Sequence, residues 1–359
     1  MNEPPRRLGP DELADLAVGC TVLAGGGGGD PRVGLLMALH AIEKAGPVPL
    51  VDLDDLDPKG LVLPSGMIGA PTVMIEKIPN GAESRVIRSA LEARLGGVAV
   101  AMMCLEMGGI NGVLPVAWAA DAGLPLVDGD LMGRAFPEVQ MCTPHLYGIP
   151  AWPCAIADER LQVVTYETRD NVWLERLARN TVSTLGGCAC ASLYPMTVEV
   201  ARTPTIRGTV SAAIAVGEAI RTAPDDPFDS LAGVLPFRPL LVGKVVDVER
   251  RTEGGFVRGS ATIEGTAEDQ GRVLTIEFQN ENLIVIEDGE ALATVPDIIT
   301  LLDSHTAHGI VTEHIRYGQR VTVAVFPAPT QWTSDQGLAV VGPRVFGYDV
   351  DYHPCHPSQ

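Results

Sequence analysis

Residues 123–138, GLPLVDGDLMGRAFPE, empty a short apolar run into two aspartates, an arginine and a glutamate. The pattern recurs, because apolar runs ending at Ala24, Leu105 and Val127 each give way to glycine and acid. Leu124, Leu126 and Val127 read as a buried strand, so Asp128 and Asp130 emerge at its carboxyl end. In open α/β sheets that edge is where ligands bind. Loops that follow parallel strands with right-handed crossovers open on the same edge, so one shared site is the economical expectation.

Apolar periodicity predicts helices over 11–18, 32–44, 84–95, 113–122, 172–185 and 210–221. Strand-like runs at 48–53, 60–68, 98–105, 152–156 and 161–166 alternate with the earlier helices. Alternation of this kind predicts an N-terminal three-layer α/β domain over 1–168 with an open, largely parallel sheet. Residues 225–239 are rich in proline and aspartate and read as a linker. From about residue 240 short strands follow at 241–248, 255–263, 272–278, 283–287, 298–302, 320–326 and 338–341, with a hairpin turn at Gly254-Gly255. They predict a small antiparallel β-barrel or sandwich within a C-terminal domain over 169–359.

The composition excludes several classes. A net charge of −19 repels phosphates, so nucleic acid is not an expected partner. No run of about 18 apolar residues is present, which argues against a membrane span. Arg6 and Arg7 are followed by no apolar signal core, which argues against secretion. Seven cysteines, with Cys104, Cys188 and Cys190 among small or apolar neighbours, fit a reduced, cytoplasmic protein. The apolar fraction and the two-domain length predict a homo-oligomer acting on a small molecule.

The run Gly25–Gly29 lacks the lysine and hydroxyl residue of a phosphate-binding loop, and Asp30 would repel a phosphate, so no nucleotide is expected. Asp30 suits a helix cap with Pro31 in the first turn. Gly26, Gly27, Gly28, Gly29 and Asp30, with Glu76 and Asn111, are candidates for holding substrate. Glu106, Asp128, Asp130, Arg134 and Glu138 are candidates for catalysis. Asp128 and Asp130 face one way on an extended segment, and adjacent carboxylates do not both ionise cheaply. A divalent metal, zinc favoured, a shared proton or neutralisation by Arg134 would each resolve the pair. Cys142 and His145 are close enough in sequence to join Asp128 and Asp130 as metal ligands. Cys188 and Cys190 read as metal ligands or as close packing, and His305, His308 and His314 as solvated.

LAGGGGGDP at 23–31, GMIGAPTVMIEK at 66–77, residues 106–138 and VGPRVFGYDVDYHP at 341–354 together resemble the S-methyl thiohydantoin desulfurase family. Its members are found beside hydantoinases and oxoprolinases. The resemblance implies an N-terminal α/β domain, a β-rich C-terminal domain and hydrolytic removal of methanethiol from an S-methylated thiohydantoin. It leaves as alternative a non-catalytic accessory subunit of a hydantoinase-type partner. On the hydrolytic reading, Asp128, Asp130 and Glu106 activate water, and His145 or Cys142 supplies a proton or a ligand. Arg134 and the glycine-loop amides hold a substrate carboxylate.

Overall fold

The computed structural model describes residues 5–70, 73, 76–223, 225–253 and 256–356. Four buried apolar runs form its parallel heart, in the spatial order Val48–Val51, Leu126–Val127, Ala99–Cys104 and Leu61–Gly69. Strands covered on both faces read as near-continuous apolar sequence, which is why these were legible. Antiparallel strands extend both edges, Arg7–Leu8 on one side and Cys188–Ser192, Cys154–Ala157 and Val163–Tyr166 on the other. The sheet is therefore mixed, with a parallel centre. Cys188 and Cys190 lie in one of its inner strands, where small side chains pack closely. The seven cysteines are all free and buried, and no helix among the described residues is long and apolar enough to cross a membrane.

A second sheet of eight antiparallel strands spans Arg238 to Phe326. Its end strands, Glu290–Thr294 and Gly309–Ile310, do not pair with each other, so the ladder does not close into a barrel among the described residues. The expected turn at Gly254-Gly255 lies outside the described residues. Two other expectations are corrected. The 225–239 stretch holds a helix, Pro227–Val234, because Asp226 accepts the Asp229 amide and Pro227 fits the first turn. The 338–341 run belongs to the Asp335–Val341 helix, capped by Ser334 through the Gly337 amide.

The run at 21–24 ends the helix Pro10–Leu23 and is not part of the sheet, so the glycine run joins two helices. Packing decides this. A Cβ on Gly19 would lie 1.9 Å from the Ala213 carbonyl oxygen, and one on Gly217 would lie 1.9 Å from that of Asp15. The Pro10–Leu23 and Thr209–Thr222 helices thus cross at backbone contact. Arg221 locks the crossing by donating from Nε and Nη2 to buried Asp15, both at 2.7 Å. A Gly217→Val substitution should cost at least about 1–3 kcal/mol, the usual range for overpacking. Urea unfolding would show this as a lower midpoint at an unchanged m-value; an unchanged midpoint would contradict the tight crossing.

Candidate functional site

The two sheets meet at the glycine loop. Asn282 donates its amide to Gly25 O (2.7 Å), Thr312 donates to Gly26 O (2.8 Å), and Ile110 donates to Gly28 O (2.9 Å). Gly25, Gly26, Gly28 and Gly29 all have positive φ, a conformation that glycine adopts without steric cost. A Cβ on Gly27 would stand 2.1 Å from Glu281 Oε1, so only glycine lets the loop lie against that carboxyl. Beside this contact is a small cleft. Met67, Ile68, Met132, Phe136 and Leu193 give it apolar walls, and Glu106, Asn111, Glu138, Arg179 and Glu281 supply its polar groups.

Glu106 is buried, following the Ala99–Cys104 strand. Its Oε1 accepts from Asn111 Nδ2 at 2.7 Å and its Oε2 from the Phe136 amide at 3.3 Å. Asn111 is itself clamped, since its Oδ1 accepts the Met67 amide and its Nδ2 also donates to Met67 O. Burial pushes the Glu106 carboxyl up from 4.5 to about 8, against the pull of its two donors. Glu281 is 2% exposed, at the tip of the hairpin between the Val273–Gln279 and Glu281–Glu287 strands. Burial, then the nearby Glu106, hold its carboxyl well above the usual range, and its Oε2 has no hydrogen-bond partner. Glu138, half-buried, is also raised, by burial and by Glu175. Arg179 binds Glu175 and the Pro137 carbonyl.

The predicted residues divide. Glu106, Asn111, Glu138 and Gly28 line the cleft, and Gly26 and Gly27 form the contact behind it. Asp128 and Asp130 are corrected, since neither faces the cleft. Asp128 accepts the Ser211 amide (3.0 Å) and hydroxyl (2.6 Å) in the first turn of the Thr209–Thr222 helix. Asp130, fully buried, accepts the Met132 and Gly133 amides and is pushed up to about 7 by burial. Helix donors therefore occupy Asp128, and loop amides occupy one oxygen of Asp130, whose Oδ1 has no partner. Arg134 does not neutralise them. It reaches the second sheet, where Nη1 donates to Pro296 O (2.7 Å) and Asp297 O (2.8 Å), and its guanidinium stacks over Phe136.

Asp30 and Glu76 are also corrected. Asp30 caps the Pro31–Ala45 helix through the Arg32 amide and faces His314, on a cavity outside the cleft. His314 is accordingly half-buried, while His305 and His308 are exposed. Glu76 is exposed in a turn, and Gly29 does not line the cleft. The candidate metal ligands are not brought together. His145 Nδ1 pairs with Asn171, the Cys142 thiol is buried and pushed up, and no group of three metal-ligating side chains converges among the described residues. A zinc site at Asp128, Asp130, Cys142 and His145 does not fit these side chains. Sequence reasoning missed Asn280, Glu281 and Arg179. The signal was QNEN at 279–282, a polar run inside a hairpin without a turn glycine.

Family models match both parts of the chain, the S-Me-THD-like N-terminal domain over residues 11–168 and the S-Me-THD-like C-terminal domain over 169–355. No curated protein matches the chain. An X-ray crystal structure of a protein from Chromobacterium violaceum shares the fold, with a TM-score of 0.82 at 21% identity over 97% of this chain and 99% of that one.

The raised Glu106 carboxyl links folding to pH. The folded protein holds a proton there that the unfolded chain releases, so this contribution is complete below about 4.5 and is lost as pH rises through about 8. Glu106→Gln removes the dependence but can accept only one of the two hydrogen bonds, a loss of about 1 kcal/mol. Thermal unfolding should therefore find the variant less stable than the parent at pH 4 and more stable at pH 9. Parallel curves without a crossing would contradict the assignment.

Proposed function

The chain belongs to the S-Me-THD-like family, and we propose that its cleft hydrolyses an S-methyl thiohydantoin to the hydantoin and methanethiol. The observation that carries this reading is Glu106, a carboxyl near neutral pKa held by two donors in an apolar-walled cleft between the sheets. Such a group moves protons efficiently close to neutral pH. Met67, Met132 and Phe136 offer a polarizable surface to a methylthio group.

The electron bookkeeping needs one proton carrier beside carbon C2. Ionised Glu106 takes a proton from water as the water oxygen bonds to C2, and the C2=N pair moves onto the ring nitrogen. Glu106 then passes that proton to the nitrogen. In the second half it takes the hydroxyl proton as C2=O forms and the C2–S bond breaks. The two hydrogens of water end on the ring nitrogen and on methanethiol. Asn111 keeps the carboxylate aimed through its bonds to Met67 and Glu106.

An accessory role was attractive for a β domain with no residue at a site. Asn280 and Glu281 line the cleft, so nothing in the geometry favours that role over catalysis. Incubation with the S-methyl thiohydantoin carrying a propionate side chain, followed by thiol titration, tests the reading. Thiol release should rise with pH and level off above about 8 as Glu106 ionises. Glu106→Gln should lower it by about 10²–10⁴-fold. A folded parent protein that releases no thiol across this range would overturn the assignment for this substrate.

A further inference from the structure

We propose that Glu281, carried into the cleft by the second sheet, is the acid that protonates the departing sulfur. This rests on the hydrolytic reading above and assigns its remaining proton. The hairpin tip that bears Glu281 is buried, whereas turns ordinarily lie on the surface because their polar groups need water. Asn280, Glu281 and Asn282 are at most 5% exposed. The two asparagines are committed to the backbone. Asn280 Oδ1 accepts the Val257 amide (2.8 Å), and Asn282 Nδ2 donates to Ile299 O (2.9 Å). They hold the tip in place, and Asn280 takes the positive φ (59°) that the tight turn requires.

Glu281 lines the cleft and its Oε2 lacks any partner; Asn282 Oδ1 is also unpartnered but does not line the cleft. A buried polar atom without a partner costs folding free energy, and one on a side chain that lines a cleft is an expected contact for a ligand. Arg134 stands close by with three of its donor positions spent on the carbonyls of Ala135, Pro296 and Asp297, and its Nη2 has no partner. Its positive charge favours the anion that Glu281 becomes after giving up a proton. Arg134 is thus a positioning residue for Glu281.

The two cleft carboxyls divide the work by their surroundings. Glu106 accepts two hydrogen bonds and is prepared to ionise; Glu281 accepts none at Oε2 and stays protonated. As the C2–S bond breaks, its electron pair stays on sulfur, and sulfur takes the proton from Glu281. Protonated Glu106 then returns a proton to Glu281, which restores both groups and leaves the balance with water unchanged. The two acids enter from different domains, so catalysis requires the junction at the glycine loop to be intact.

The test compares leaving groups. An S-(4-nitrophenyl) analogue expels a thiolate that needs no proton, whereas the S-methyl substrate does need one. Glu281→Gln should slow thiol release from the S-methyl substrate at least 100-fold, yet slow the S-aryl analogue less than 10-fold. Glu106→Gln should slow both. Gly27→Ala, which keeps the acid but crowds Oε1, should show a smaller loss with the same dependence on leaving group and serves if the glutamine variant fails to fold. Equal losses on both substrates, or no loss on the S-methyl one, would overturn the role of Glu281. Absence of release by the parent protein from either substrate would instead overturn the hydrolytic reading itself.

Discussion

A buried guanidinium crosses between the two sheets beside the glycine loop, at the edge of the candidate site. Arg134 leaves the loop after Asp130 and donates to the carbonyls of Pro296 and Asp297 in the second sheet, with Phe136 against its face. Burying a charge is expensive unless it is well paired. Burial holds its pKa down to about 10, which leaves it charged at neutral pH, with the nearby Asp297 carboxyl and the carbonyls of Ala135, Pro296 and Asp297 compensating it. Asp297 extends the junction. Its carboxyl accepts from the Ala328 amide, the Tyr352 hydroxyl and the Cys355 amide, so the end of the described chain is fastened to the turn that receives Arg134.

The glycine loop fills the opposite role, since it works by what it lacks. Gly26 and Gly27 would each drive a Cβ into a side chain of the hairpin tip, and Gly28 would drive one into the Gly108 carbonyl. The loop is a surface on which three segments close, and its carbonyls accept the amides of Ile110, Asn282 and Thr312. A cradle for anions would require amides to converge. Here carbonyls do much of the joining, and Asp30 turns away toward His314.

Much of the first sheet was legible because buried parallel strands leave continuous apolar runs, as at 60–68 and 98–105. Glu106 and Asn111 were legible for the same reason, as polar residues directly beyond such a run. Asp128 and Asp130 were singled out by the same logic and failed for a physical reason. The strand pairing changes between Leu126–Val127 and Gly129–Asp130, the latter pairing with Ile206–Arg207. A helix from residue 209 onward supplies donors that no local pattern reveals. Glu281 was illegible for the converse reason. A polar tetrad between strands reads as a solvated turn, and its burial depends on contacts with residues more than 140 positions away, Arg134 among them.

The groups that would perform the chemistry are those the fold stabilises least. Glu106 and Glu281 are carboxyls kept protonated by burial, and Glu281 Oε2 and Arg134 Nη2 both lack a hydrogen-bond partner. A structure selected for stability alone would close that pair or replace it with apolar side chains, which often stabilises a core. Leaving it open keeps a proton on Glu281 and a charge beside it. In the proposed reaction, substrate binding would supply the missing hydrogen-bond partner and relieve in the complex the electrostatic cost incurred on folding. That relief would grow as the sulfur draws the proton and Glu281 becomes an anion near Arg134, the point in the reaction where stabilisation accelerates it.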